Sequence, residues 1–242
     1  MNIELCNWLE ACKYCEKLWR VREKDLKLKI LYDNNALKGF REGYGFSCLI
    51  EEKKTLFDTG GDVATLLHNM RKFMVNLSDI SKIVLSHEHG DHTGGIQILD
   101  YCEEVEVYVP RSFSSRLKHK LASYSNVTLK QVSGPQEICE GLLTTGGLGK
   151  ITKEQSLTVK TDNGLTLITG CAHPGLENIL QVASKFGEIF GVVGGLHGFD
   201  KLEGLKKLRL IVPCHCTTHK REILNLYPES SIECSAGVTI EI

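Results

Sequence analysis

His87-Glu88-His89-Gly90-Asp91-His92 follows directly on the apolar stretch Ile83-Val84-Leu85. That stretch reads as a buried strand over residues 82–86. The histidine-rich run then lies in the loop at the strand's carboxyl end, where open α/β sheets place their sites. Three imidazoles and a carboxylate packed this closely suit a borderline divalent metal. A shuffled chain of this composition would show the pattern roughly once in two thousand trials, so chance is a poor account of it. Side chains two apart in an extended segment point the same way, so His87 and His89 can share one metal. The turn at Gly90 can send Asp91 and His92 toward a second.

Four donors are too few for two metals, so distant ligands are required. His173, His197 and His215 each come just past a predicted strand, at residues 165–169, 188–193 and 210–212. If those strands belong to facing sheets, their loops can converge on one rim with the first run. His68, His119 and His219 lack such a setting and read as ordinary polar histidines. Asp58 ends a strand in Leu56-Phe57-Asp58-Thr59-Gly60-Gly61, where a carboxylate could orient a metal-bound water or a ligand imidazole.

The rest of the chain supplies the frame. Residues 1–25 read as a helical appendage, and a catalytic domain is expected over residues 26–242. Leu26, Leu28 and Ile30 alternate with lysines as in a half-buried strand. Residues 45–50 and 55–58 read as a hairpin. Asp62 is placed to cap a helix with apolar positions Val63, Leu66, Leu67, Met70 and Met74. Another strand spans 105–109. Strands at 156–160 and 165–169 flank the turn Asp162-Asn163-Gly164. Pro174 suits the first position of a helix whose stripe is Leu176, Ile179, Leu180, Ala183 and Phe186, closed by Gly187. Helices are expected over 201–208 and 217–227, and a last strand at 238–240. Strand pairs followed by alternating strands and helices, in both halves, predict an α/β fold of two sheets sandwiched between helices.

Composition excludes several classes. Of 242 residues, 42% are hydrophobic and 24% charged, and 29 basic residues balance 30 acidic ones. That is ordinary globular composition, with no electrostatic case for nucleic acid or an anionic membrane as partner. The cluster Arg116-Leu117-Lys118-His119-Lys120 reads as one solvated helix face. No stretch reaches membrane-span length, and the start of the chain has no secretory pattern, so a cytoplasmic protein with reduced thiols is expected. Ten cysteines are too few for a disulfide scaffold of this length. Cys6, Cys12 and Cys15 could hold a further metal or an iron–sulfur cluster, although three thiols fall short of the usual four.

Phe57-Asp58-Thr59-Gly60, the run His87 to His92, a glycine-turn segment and a late histidine resemble the metallo-β-lactamase superfamily in that chain order. Asp33-Asn34-Asn35, Gly45-Phe46-Ser47, His92-Thr93-Gly94-Gly95, Gly170-Cys171-Ala172-His173-Pro174-Gly175, Gly194-Gly195-Leu196-His197 and Pro213-Cys214-His215-Cys216-Thr217 resemble one branch of it. That branch carries the label 7,8-dihydropterin-6-methyl-4-(β-D-ribofuranosyl)-aminobenzene-5′-phosphate synthase. The resemblance implies an αββα sandwich with two divalent metals, zinc first and iron or manganese as alternatives. His87, His89 and a third histidine would hold one metal; Asp91, His92 and His215 would hold the other. Where many members carry a bridging aspartate, this chain has Cys171, with His173 two residues on. Either His173 supplies the third imidazole or Cys171 contributes a thiolate, and His173 is favoured.

The implied chemistry is hydrolysis by a metal-activated water, with Asp91 positioning it and His197 as proton donor or substrate contact. A small anionic phosphoester, pterin- or nucleotide-like, is the expected substrate. Thioester or lactone hydrolysis would use the same metals, and a metal-binding or redox-sensing module is the non-enzymatic alternative.

Overall fold

The computed structural model describes residues 26–242. The proposed appendage, with Cys6, Cys12 and Cys15, lies outside the described residues. In chain order the elements begin with β1 (Lys27–Tyr32), β2 (Ser47–Ile50), β3 (Thr55–Phe57), helix α1 (Val63–Lys72), β4 (Lys82–Val84) and the single turn α2 (Gly90–Thr93). β5 (Val105–Pro110), α3 (Ser115–Ala122), β6 (Val127–Val132), β7 (Gln136–Cys139), β8 (Leu142–Thr144), β9 (Leu157–Thr161) and β10 (Gly164–Thr169) follow. The chain closes with α4 (Leu176–Ala183), β11 (Ile189–Gly195), β12 (Leu210–Cys214), α5 (Lys220–Leu226) and β13 (Thr239–Glu241).

Two sheets form. One runs β13-β1-β2-β3-β4-β5-β6 and the other β12-β11-β10-β9-β8-β7. Three apolar layers explain the sandwich. Between the sheets, Leu28, Ile30, Phe46, Phe57 and Val84 meet Leu157, Ile168, Val193 and Val212. Outside the first sheet, Leu56, Ile83 and Val107 face Leu66 and Met70 of α1 and Leu121 of α3. Outside the second, Leu167, Val192 and Ile211 face Ile179 of α4 and Ile223 of α5. The central strands are therefore apolar on both faces, and the expected layering of helix, sheet, sheet, helix is the observed one.

The direction of the strands positions the site. β3 to β6 are parallel to one another, as are β10, β11 and β12. Their carboxyl ends release Asp58, the run from Ser86, Gly170, Leu196 and His215 onto one rim.

Several local expectations are corrected. The helix after Asp62 ends at Lys72, and Met74 stands outside it, 90% exposed. α4 starts at Leu176 behind Gly175, whose φ of 88° suits glycine, so Pro174 precedes the helix. Over 201–208 only a short 3₁₀ turn, Leu202–Leu205, forms; Gly204 in its middle is a poor helix residue. The last helix starts at Lys220 because Thr217 is held in a tight turn, donating to the Cys214 carbonyl at 2.7 Å and accepting from Leu196 N at 3.0 Å. Strands β6, β7 and β8 were not expected; β6 and β7 are largely exposed, and β8 is only three residues long. No helix among the described residues is long and apolar enough to cross a membrane.

Candidate metal centre

Seven of the sequence-predicted residues come together in two neighbouring groups. His87, His89 and His173 form one, and Asp91, His92, Cys171 and His215 the other; within each, one donor atom per residue lies within 4.8 Å of the others. The His87 and His92 rings are 4.2 Å apart, so the groups adjoin. His173 and Cys171, weighed as alternatives in the sequence, are both present, one in each group. His197 stands beside them, exposed, its ring 5.1 Å from that of His173. Asp58 lies beneath both groups.

Asp58 is fully buried at a left-handed turn, φ 56°, which drops its carboxylate under the run. One oxygen accepts from Ser86 N at 2.6 Å. The other accepts from the Ser86 hydroxyl and from His92 Nδ1, each at 2.7 Å. Ser86 Oγ in turn meets His87 Nδ1 at 2.8 Å. One carboxylate thus fixes both imidazoles, and Nε2 of each turns to the rim. There His87 Nε2 is 3.0 Å from His89 Nδ1, and His92 Nε2 is 3.1 Å from Cys171 Sγ. Burial opposes a charge on His92, but Asp58 outweighs it and lifts its titration. Burial, with the neighbouring His92, drives His87 down to about 2, so it is a neutral donor at any working pH.

The second sheet's loops are held by residues far off in sequence. His215 Nδ1 meets Asn34 Oδ1 at 2.8 Å, and its backbone N–H donates to Asp33 at 2.6 Å. Its Nε2 is left 3.0 Å from Asp91 Oδ2. Burial raises Asp91, yet the His215 hydrogen bond and the His92 charge prevail and hold it below the usual carboxylate range. Cys216, next along, shares a hydrogen bond with Cys171 that favours a thiolate on Cys216.

Glu154 went unread in the sequence. It is fully buried and accepts from the backbone N–H groups of Gly170, Cys171, Ala172 and His173, all within 2.9–3.1 Å. Gln155 beside it donates to the Leu85 carbonyl at 2.9 Å, across the seam between the sheets. Gly170 packs where no side chain fits, since a Cβ would stand 2.3 Å from Ser86 Oγ. A lone Glu in Ile151-Thr152-Lys153-Glu154-Gln155 has no spacing that marks it. Asn34 stood in a family-like stretch, but nothing local ties it to His215.

The donor chemistry fits divalent metals. Imidazoles, a low-titrating carboxylate and a thiol, gathered from three loops and mostly buried, match the ligand types of zinc and iron.

The comparisons with known proteins agree. The Metallo-beta-lactamase superfamily pattern matches residues 41–151. A 7,8-dihydropterin-6-methyl-4-(beta-D-ribofuranosyl)-aminobenzene-5'-phosphate synthase of Methanocaldococcus jannaschii is 28% identical over 78% of this chain and 85% of its own. The crystal structure of Tm1679, a metal-dependent hydrolase of the beta-lactamase superfamily, is 29% identical with a TM-score of 0.74, covering 90% of this chain and 99% of that one. The metallo-beta-lactamase fold protein YhfI from Bacillus subtilis, at 11% identity and TM-score 0.66, covers 90% and 100% and shares the fold. Residues 41–151 thus carry the metallo-β-lactamase superfamily pattern, and the two facing mixed sheets have the metallo-β-lactamase fold.

Proposed function

We propose that this chain hydrolyses a small anionic phosphoester with two divalent metals, zinc in the first instance. The observation that carries the reading is the pair of adjoining donor groups, whose His87 and His92 rings are 4.2 Å apart. His87, His89 and His173 would hold one metal; Asp91, His92, Cys171 and His215 the other. When bound, such a pair lowers the pKa of water and steadies both the attacking and leaving oxygens of a displacement. The thiol of Cys171 favours zinc or iron over manganese.

The chain's own groups supply the rest. Asp91, ionised beside His215, accepts a hydrogen bond from the attacking water and aligns it. Asp58 holds His87 and His92 in the tautomers that face the rim. His197, exposed at the edge, meets the substrate or donates a proton to the leaving group. A cavity of about 220 Å³ opens beside His89, lined by Glu88, Ser112, Phe113, Ile151, Thr152 and Lys153. Lys153 offers a cation to an anionic substrate, and Phe113 and Ile151 offer apolar contact to its body. The 5'-phosphate in the name of the Methanocaldococcus jannaschii relative supports a phosphate-bearing molecule.

The test is a panel of bis-p-nitrophenyl phosphate, p-nitrophenyl phosphate, a thioester and a lactone, assayed with added zinc, iron(II) or manganese. Turnover of a phosphate ester, abolished by His89→Ala together with loss of bound metal, is the expected result. Turnover of the thioester or lactone alone overturns the phosphoester reading in favour of that class. Unchanged metal content in His89→Ala overturns the site.

A further inference from the structure

We propose that Glu154 is a positioning residue of the metal centre: its buried carboxylate sets the loop 170–173 and holds His173 as the Nδ1–H tautomer, leaving Nε2 as the donor beside His87 and His89. The metal part of this inference rests on the function proposed above; the tautomer part does not.

The geometry divides the carboxylate into two jobs. Oε1 accepts from the N–H groups of Gly170, Cys171 and Ala172 at 3.1, 2.9 and 2.9 Å. Oε2 accepts from His173 N and from His173 Nδ1, both at 2.9 Å. Four successive backbone donors on one side chain make an anion nest closed by a residue of the same chain. The nest holds Ala172 in a left-handed conformation, φ 58°, and that turn puts the Cys171 and His173 side chains into different donor groups. Glu154 is itself anchored, its N–H and carbonyl paired with Leu148 at 3.0 and 2.9 Å. It has no exposed surface and no lysine or arginine partner among the described residues. A buried carboxylate costs several kcal/mol unless it is well paired, and here every partner belongs to the 170–173 loop. Fold support alone would be met by any acceptor; the contact to Nδ1 adds a choice of tautomer, as a carboxylate does behind a metal-bound imidazole.

Glu154→Gln separates the two roles. An amide has one acceptor end, so it must turn its NH₂ toward either the three backbone donors or His173. With the carbonyl on the backbone donors, the NH₂ faces Nδ1, which must become an acceptor, and the proton moves to Nε2. Histidine ¹H–¹⁵N spectra of metal-free protein, assigned with His173→Asn, read this directly. We expect Nδ1–H in the wild type and in Glu154→Asp, and Nε2–H in Glu154→Gln. Zinc titration of the same proteins should give two ions per wild-type chain, with one of the two bound about 10- to 100-fold more weakly in Glu154→Gln. Glu154→Asp should lie between.

An Nε2–H tautomer in the wild type overturns the proposal, as do an unchanged tautomer and two unweakened zinc ions in a folded Glu154→Gln. If Glu154→Gln does not fold, the wild-type tautomer and Glu154→Asp decide. A wild type that binds no zinc defeats the hydrolase reading, and the tautomer still decides for or against Glu154.

Discussion

Residues 86–93 and the loops at 170–173 and 214–217 do the same work by different means. The first segment is one continuous stretch. It leaves β4, turns through α2, and offers His87, His89, Asp91 and His92 from within six residues of backbone. One carboxylate, Asp58, suffices to orient two of its rings. The later loops offer one or two donors each, and each needs its own support: Glu154 for His173, Asn34 and Asp33 for His215. A compact motif inherits its geometry from local backbone; scattered donors must be placed by tertiary contacts. The former is exposed to loss of one central partner, the latter to several independent ones.

The largest effect should come from His92→Ala, which removes the ring where the two groups adjoin. Activity on whichever ester the panel identifies should fall by about 10³-fold or more, since a bound metal contributes several kcal/mol to the barrier. Metal content measured alongside should drop; an active, fully metallated variant would show that the run is not the centre. Asp58→Ala comes next. It releases His87 and His92 together, so the affinity for both metals should fall by about 100-fold. Asn34→Ala frees only His215 and should weaken one metal by about 10-fold, leaving the other intact. Equal damage from these two variants, read by zinc titration, would erase the proposed asymmetry between the halves.

Asp62→Ala should have the smallest effect and serves as a control outside the donor groups. Asp62 accepts from Thr65 N at 2.8 Å as the cap of α1 and from the Tyr32 hydroxyl at 2.7 Å. Its loss should cost about 1 kcal/mol in denaturant unfolding, with metal content unchanged. Burial raises the Asp62 pKa, and the hydrogen bonds from Thr65 and Tyr32 more than offset it, so the folded value lies below the unfolded one. The stabilisation is therefore complete above the unfolded pKa of about 4 and fades as pH falls through the folded value. A stability difference that grew on acidification would contradict that sign.

The same contrast explains what could be read in the sequence. The run and the strand before it were legible, because spacing and apolar pattern are local. That histidines 173, 197 and 215 share a rim was legible from their places after strands. Their supports were not: Asn34 and His215 are 181 positions apart, and Glu154 and His173 are 19 apart with β9 and β10 between them. Helix ends at Pro174 and Thr217 were misplaced for a similar reason. The turns there serve the loops of the site, and that demand overrides local helix preference.

The pairing of β13 with β1 bears on the order in which the protein is made. Lys27, Leu28 and Lys29 lie opposite Glu241, Ile240 and Thr239, and Ile240 and Ile242 fill the core between the sheets. The ribosome thus delivers the first sheet early but cannot supply its edge strand until the second sheet has been synthesised. A nascent chain emerging past residue 92 displays the histidine run with none of its later partners. Domains with such distant pairings gain their contacts late and fold slowly. Metal met during translation would encounter half of the candidate centre, since the remaining donors follow only when Cys171, His173 and His215 have been synthesised.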